Sequence, residues 1–388
     1  MSQSPDFRRP DFRLPDFRLE VHFQEWEFKA RHHMTASDPQ SMSLSELLAF
    51  ASPEDRAGFE NLWLGYTETY GAPDLRAAIA ATYADREMED ILCFAGASEP
   101  IYVANRTLLG QDDHAIIVTP NYQSHEELPL SICEATGVPL DPDDGWSLDI
   151  DRVAAAIRDN TRLITINFPH NPTGAVLPPD RLNALVELTR KHGIWILSDE
   201  VYNGLGPPGV TPPPYIADLY ERGLSVHVLS KNLGLPGLRI GWVACQDRAQ
   251  LSRMERMKHY LSICNSAPSE RLALIAVKAR EQILARTNGV IAENIVKLEA
   301  FMARHSDRFA YARPGGSCTA FPKYLGSEGA KTFCGALLER HGVLLLPGAI
   351  YDSRLGPSVQ DHFRIGFGRE GIDEGLALMD AYLTRNAA

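Results

Sequence analysis

The stretch Leu229-Ser-Lys231-Asn-Leu-Gly234-Leu-Pro-Gly-Leu-Arg239-Ile-Gly-Trp242 decides how the rest of the chain is read. It follows a β-rich run at 225–229, which places Ser230 and Lys231 at a strand end. Burial there disfavours an ammonium, lowers the lysine pKa and leaves a nucleophilic amine. Eight residues on, Arg239 offers a planar fork that pairs bidentately with a phosphate dianion. The plainer alternative is a surface lysine and an arginine paired elsewhere. Ser-Lys alone is a weak signal, and the Gly234–Arg239 continuation is what makes it specific.

Working outward, four more signals sit at predicted strand ends. Asn171-Pro-Thr-Gly174 follows the strand 163–167. It makes a good turn on its own account, and an amide at the top of a strand can also donate to a ligand oxygen. Ser198-Asp-Glu-Val-Tyr202 ends the strand 194–198. A buried Asp199 needs a partner. A protonated ring nitrogen of a heteroaromatic cofactor is one, and a helix cap is the simpler one. Tyr202, three residues on, is in reach of the same ligand. Ala95-Gly-Ala97-Ser98-Glu99 opens a helix with small residues, which lets backbone N–H groups face a phosphate or simply makes a tight connection. Pro120-Asn-Tyr122 follows the strand 115–119, and Tyr122 either stacks on a ligand ring or packs. Each signal alone has a bland explanation; their occurrence in chain order on the ends of one sheet does not.

Near-continuous apolar strands at 115–119, 163–167, 194–198, 226–229 and 239–244 alternate with helical patterns such as 150–157 and 179–192. That alternation predicts an α/β fold with a mostly parallel sheet covered on both faces. Ligands in such sheets sit beyond the carboxyl ends of the strands. Helical patterns at 272–285 and 290–305 follow, then strands near 343–346 and 363–367. The expected organisation is an extended or disordered arm over 1–18 and an N-terminal segment over 19–60. A large domain over 61–265 and a smaller α+β domain over 266–388, built with the other chain end, complete it. The arm repeats Pro-Asp-Phe-Arg from Pro5, Pro10 and Pro15. Residues 19–50 read as helical, with Ser43-Leu-Ser-Glu46 as a capping box.

The 388 residues, 44% hydrophobic and 23% charged, suit a globular protein with ample core. A formal charge of −12 without basic clusters argues against nucleic acid as a partner. No run approaches 18 apolar residues, and the start lacks the apolar stretch of a signal peptide, so no membrane partner is expected. Six cysteines without a CxxC pair give no metal site and suit free thiols in a reducing cytoplasm.

Together these residues resemble the class I/II aminotransferases, pyridoxal 5′-phosphate (PLP) enzymes of fold type I, from about residue 62 to 367. The resemblance implies PLP as cofactor and Lys231 as its Schiff-base lysine. It implies Asp199 as partner of the pyridine nitrogen, Asn171 and Tyr202 as donors to the phenolic oxygen, and Tyr122 as the stacking ring. Ala97, Ser98, Ser230 and Arg239 correspond to the phosphate cup, and Arg364 in Phe363-Arg-Ile-Gly366 to the clamp on the substrate carboxylate. Tyr66 resembles a tyrosine that reaches the phosphate of a neighbouring subunit, which implies a homodimer with shared sites. Lys231, Tyr202 and Asp199 are the catalytic expectation, with an L-amino acid as substrate.

The nominal reaction is transamination. Segments 19–45, 256–269 and 313–324 also resemble the capreomycidine synthase-like cyclases. That resemblance implies an alternative, a dehydrating ring closure on a hydroxylated arginine-type amino acid. Such a substrate needs an acidic partner for its guanidinium, for which Glu20 or Glu25 is the candidate. An oxidase or a non-catalytic binding protein are further alternatives. The Pro- and Gly-rich loop 204–215 is expected to form pocket walls.

Overall fold

The computed structural model describes residues 14–385, so the first two Pro-Asp-Phe-Arg repeats lie outside the described residues. Seven strands form the main sheet. They are β1 (Ile91–Phe94), β2 (His114–Thr119), β3 (Glu134–Pro139), β4 (Thr161–Asn167), β5 (Trp195–Asp199), β6 (Gly223–Val228) and β7 (Gly241–Ala244). Their order is β1-β7-β6-β5-β4-β2-β3. The β2–β3, β2–β4, β4–β5 and β5–β6 pairs are parallel, and β7 runs antiparallel to β6 and β1. The fold is α/β with a mostly parallel sheet, as the strand–helix alternation predicts.

The strands are apolar throughout because both faces are covered. Along β2, Ile116 and Val118 join one core with Ile164 and Ile196. Ala115 and Ile117, pointing the other way, join a second core with Leu163 and Leu197. Each large aliphatic side chain so enclosed contributes about 1.5–3 kcal/mol.

The smaller α+β part draws on both chain ends. His32–His33 pairs in parallel with Val343–Leu344. Phe363–Gly366 pairs with Thr319–Ala320 and Leu346–Pro347. The helix Ile372–Arg385 lies beside them.

Three expectations change. The two helices read as 272–285 and 290–305 are in fact Ala267–Lys278 and Arg280–Arg304, divided at Ala279. Asn288-Gly289 does not break the longer helix, whose tertiary contacts override the local turn signal. That helix reaches from Ile283 in the sheet-side core to Ile295 and Phe301 in the small-part core. Leu272–Val277 pack with the sheet side, so packing moves the change of partner from 265/266 into the long helix. Finally, 19–50 is not helical throughout. Helix α1 (Arg18–Trp26) is followed by an irregular strap and the short helix Leu44–Leu48, which keeps its Ser43/Glu46 capping box.

The third repeat is not loose either. Phe17 packs on Tyr122, ring centroids 4.9 Å apart, and Arg18 donates to Gln123 Oε1 and Asp352 O.

Candidate active site

A cavity of about 440 Å³ opens at the carboxyl ends of β4, β5 and β6. Those ends deliver Asn171, Asp199, Tyr202, Ser230 and Lys231 from successive loops, and Arg239 follows from the turn before β7. Ala97 and Ser98 reach it from the N-terminus of α2 (Ser98–Leu108), Tyr122 from the loop after β2, Arg364 from the small part and Glu20 from α1. All the expected site residues except Tyr66 and the alternative acid Glu25 therefore meet at one cavity. Tyr66 lies elsewhere. It is 92% exposed and borders a separate hollow with Ser262, Cys264 and Pro268.

The geometry gives each group a defined environment. Asp199 is buried; one carboxylate oxygen lies 2.9 Å from His125 Nε2 and the other accepts from the Val201 N–H at 3.2 Å. It tops a strand and caps no helix. The Lys231 amine donates to Ser37 Oγ at 3.0 Å. Burial pushes that amine below the usual lysine range, and the Asp38 carboxylate acts against the shift. Burial likewise pushes the Tyr202 phenol well up. Arg364 is fully buried and donates to Thr35 Oγ1, Thr35 O, Asn171 Oδ1 and the Tyr351 hydroxyl. The Tyr351 phenol is pushed up to about 12, chiefly by burial.

The opening of α2 is shaped for an anion. Its N-cap, Ala97, supplies no side-chain cap, which leaves the first N–H groups turned outward. Gly96 has φ +91°, and a Cβ there would stand 2.5 Å from Arg239 Nη2. The guanidinium thus lies directly on the glycine backbone, with Ser230 Oγ 3.5 Å from Nη1.

The N-terminal segment forms the remaining wall. Glu20, Phe23 and Glu27 recur at i, i+3 and i+7, one face of α1 and its C-cap, and all three line the cavity. Glu25, the other acidic candidate, falls on the opposite side of the helix and is exposed. Glu20 Oε1 accepts from the Tyr122 hydroxyl at 3.1 Å. Glu27 lies 3.7 Å from His33 Nε2, and burial raises its pKa, with Arg369 opposing. Asp38 pairs with Arg369 at 2.7 Å. His33 is held down to about 4, first by burial and then by the nearby Arg369 and Arg364 charges.

Sequence reasoning did not single out Glu27, His33, Ser37, Asp38, His125, Tyr351 or Arg369. The helical spacing from Glu20 pointed to Glu27 over Glu25; the strap residues carried no local signal. The loop expected to form pocket walls instead lines a separate hollow of about 290 Å³ with Pro169, Asn288 and Gly316, which holds no titratable side chain.

A lysine at a strand end, a carboxylate held by histidine, an uncapped helix N-terminus roofed by arginine and a buried arginine beyond them fit a phosphorylated pyridine aldehyde and an amino acid. Residues 36–376 match the family described as aminotransferase class I and II. The chain belongs to this family. It is a PLP-dependent enzyme, and its substrates are amino acids.

This family member is 31% identical to the capreomycidine synthase of Streptomyces vinaceus over 94% of the chain and 92% of that relative. It is 29% identical to an arginine–pyruvate transaminase of Pseudomonas aeruginosa, over 87% and 88% respectively. Among solved structures it resembles a PLP-dependent aminotransferase from Streptococcus suis, with TM-score 0.89, 30% identity and coverage of 96% and 98%. It also resembles the PLP-dependent cyclase OrfR, with TM-score 0.87, 26% identity and coverage of 98% and 100%. Among the described residues no helix is long and apolar enough to cross a membrane, and no cluster of His, Cys, Asp and Glu could hold a metal ion.

Proposed function

We propose that this enzyme removes the Cα proton of an amino acid with a cationic, arginine-type side chain, and that a hydroxylated arginine undergoes dehydrating ring closure. The carrying observation is the acidic wall. Glu20, Glu27 and Asp38 come from one N-terminal segment to one edge of the cavity, and Arg369 neutralises Asp38 alone at hydrogen-bond distance. A guanidinium fits there because planar N–H donors meet carboxylates at short range. At the other end, Arg364 is placed to clamp the α-carboxylate.

Bound at Lys231, PLP supplies an electron sink that makes the Cα–H bond acidic. Asp199, oriented by His125, keeps a proton on the ring nitrogen. Asn171 and Tyr202 would serve the ring's phenolic oxygen, Ala97, Ser98, Ser230 and Arg239 would hold the phosphate, and Tyr122 would lie against the ring. Lys231 would take the Cα proton as general base. The Cβ–O bond would then break, the departing hydroxide taking the proton that the guanidinium nitrogen loses as that nitrogen bonds to Cβ, and Lys231 would return its proton to Cα. The net change is loss of one water. Transamination is the second reading, supported by the same lysine and aspartate and by the likeness to the arginine–pyruvate transaminase.

Trp63, Leu64, Tyr66, Tyr260, Leu261 and Ile263 are exposed, and Leu64 and Tyr66 line a hollow of about 490 Å³ with Ser262 and Cys264, neighbours in sequence of the second group. A second copy covering this patch would bury it and bring its Tyr66 toward the phosphate, so we read the enzyme as a homodimer. Six free cysteines, five of them buried, support a cytoplasmic setting.

The test is product identification. Incubation with arginine and with β-hydroxyarginine, followed by mass spectrometry, should show a product lighter by one water from the second substrate. Formation of a 2-oxo acid from arginine with stoichiometric amino transfer would overturn ring closure in favour of the second reading.

A further inference from the structure

Ser37 sits in the strap that crosses the cavity between the two parts of the fold, and it is 9% exposed. Its Oγ is 3.0 Å from Lys231 Nζ, and both residues line the cavity together with Tyr202. The strap around it is pinned. Two residues before, Thr35 accepts from Arg364 Nε at 3.2 Å and, through its carbonyl, from Nη2 at 2.7 Å. One residue after, Asp38 accepts from Arg369 at 2.7 Å. Met34 O accepts from the Gly366 N–H, and the Gln40 N–H donates to Gly368 O. A hydroxyl fixed on both sides is therefore set against an amine on a flexible four-carbon stem. Such a stem has no preferred direction of its own once the lysine is released from its covalent partner.

We propose that Ser37 is a positioning residue for Lys231, accepting a hydrogen bond from the ammonium that forms when the Cα–H bond breaks and holding it beside Tyr202. The inference rests on Lys231 being the base. In that step the electron pair stays with the substrate carbon, the proton goes to Nζ, and Ser37 keeps its own proton. The strap thereby links three things: the arginine clamp through Thr35, the acidic wall through Asp38 and the base through Ser37. A side chain from the small part of the fold sets the direction of a base carried by the large one.

The full-length enzyme tests this with two readouts. In cofactor-free protein, the pH dependence of Lys231 labelling by an amine-reactive ester, followed by mass spectrometry, reports its ionisation. The charged and titratable groups facing the amine are Asp38, Arg364, Cys318 and Glu20, with Glu27 and Tyr202 close by. All remain in Ser37→Ala, which loses only the acceptor, so the midpoint should move down by roughly half a unit or more. In the loaded enzyme, deuterium wash-in at Cα should fall about 10-fold with KM within about threefold, and Ser37→Thr should restore both readouts. Identical midpoints and wash-in for Ser37→Ala and the unaltered enzyme, with Lys231→Arg inactive, overturn the role of Ser37 alone. Wash-in retained by Lys231→Arg overturns the reading of Lys231 and the inference with it.

Discussion

His125 Nε2 and Asp199 Oδ2 lie 2.9 Å apart in a buried pair, across 74 residues of chain. The helix after β2 thereby orients a carboxylate at the end of β5. In the proposed mechanism Asp199→Asn keeps the shape but removes the charge that would hold a ring proton, so turnover should fall about 10³-fold, measured as kcat. His125→Gln keeps one donor toward Asp199 and should cost about 10-fold, the scale of a lost orienting partner. Equal, near-complete losses in both variants would instead indicate collapse of the site.

Glu27 tests the acidic wall. A charge-assisted hydrogen bond contributes about 1.5–3 kcal/mol, so Glu27→Gln should raise KM for an arginine-type substrate by roughly 10- to 150-fold. A neutral analogue of similar length should bind unchanged. The raised pKa of Glu27 means that its charge disappears as pH falls through that raised value, so KM for the cationic substrate climbs on the acid side. Glu27→Gln should flatten that limb. Steady-state kinetics with both substrates, followed from neutral pH down the acid side, checks it.

Gly96 tests the phosphate cup. Gly96→Ala meets Arg239 Nη2 at 2.5 Å and forces a side chain into φ +91°, a conformation costing about 1–3 kcal/mol. The guanidinium must move, so cofactor affinity should drop at least about 10-fold, read by fluorescence titration of cofactor-free protein. The melting temperature of that cofactor-free form should change by only a few degrees, about what 1 kcal/mol moves a chain of this size.

His33 and His170 make acid stability predictable. Burial holds both near 4 in the folded state against an ordinary value of 6.5. Between those values the unfolded chain binds protons that the folded chain does not, so stability falls as pH drops from 6.5 toward about 4. Differential scanning calorimetry should show the melting temperature declining through this window. His33→Gln, which cannot titrate, should make the decline shallower.

How much of this was legible depended on distance along the chain. Asp199 ends a strand, Lys231, Asn171 and Tyr202 follow one within a few residues and Arg239 stands two before one, so strand pattern plus turn chemistry located them. Ser98 was visible for the same reason, at the start of a helix after a small-residue turn. The opposite wall was not. Phe17, Ser37 and Asp38 act on residues more than 80 positions away, and nothing in their own neighbourhood marks them. Glu25 and Glu27 are the same residue type; the i+7 spacing from Glu20 separates them only once α1 is seen to lie over the cavity.

The amino-acid sequence by itself determined the alternation of buried strands and helices, and with it the cofactor end of the site, because apolar periodicity and the special chemistry of Ser230-Lys231 through Arg239 are local properties. Tertiary structure alone decided what faces that cofactor end. Folding α1 and its strap back across the sheet set Ser37 against Lys231, lined the entrance with carboxylates and left Tyr66 and Trp63 outward. Those contacts come from packing between segments far apart in the chain, which periodicity cannot encode, and they bear on which amino acid enters and where its proton goes.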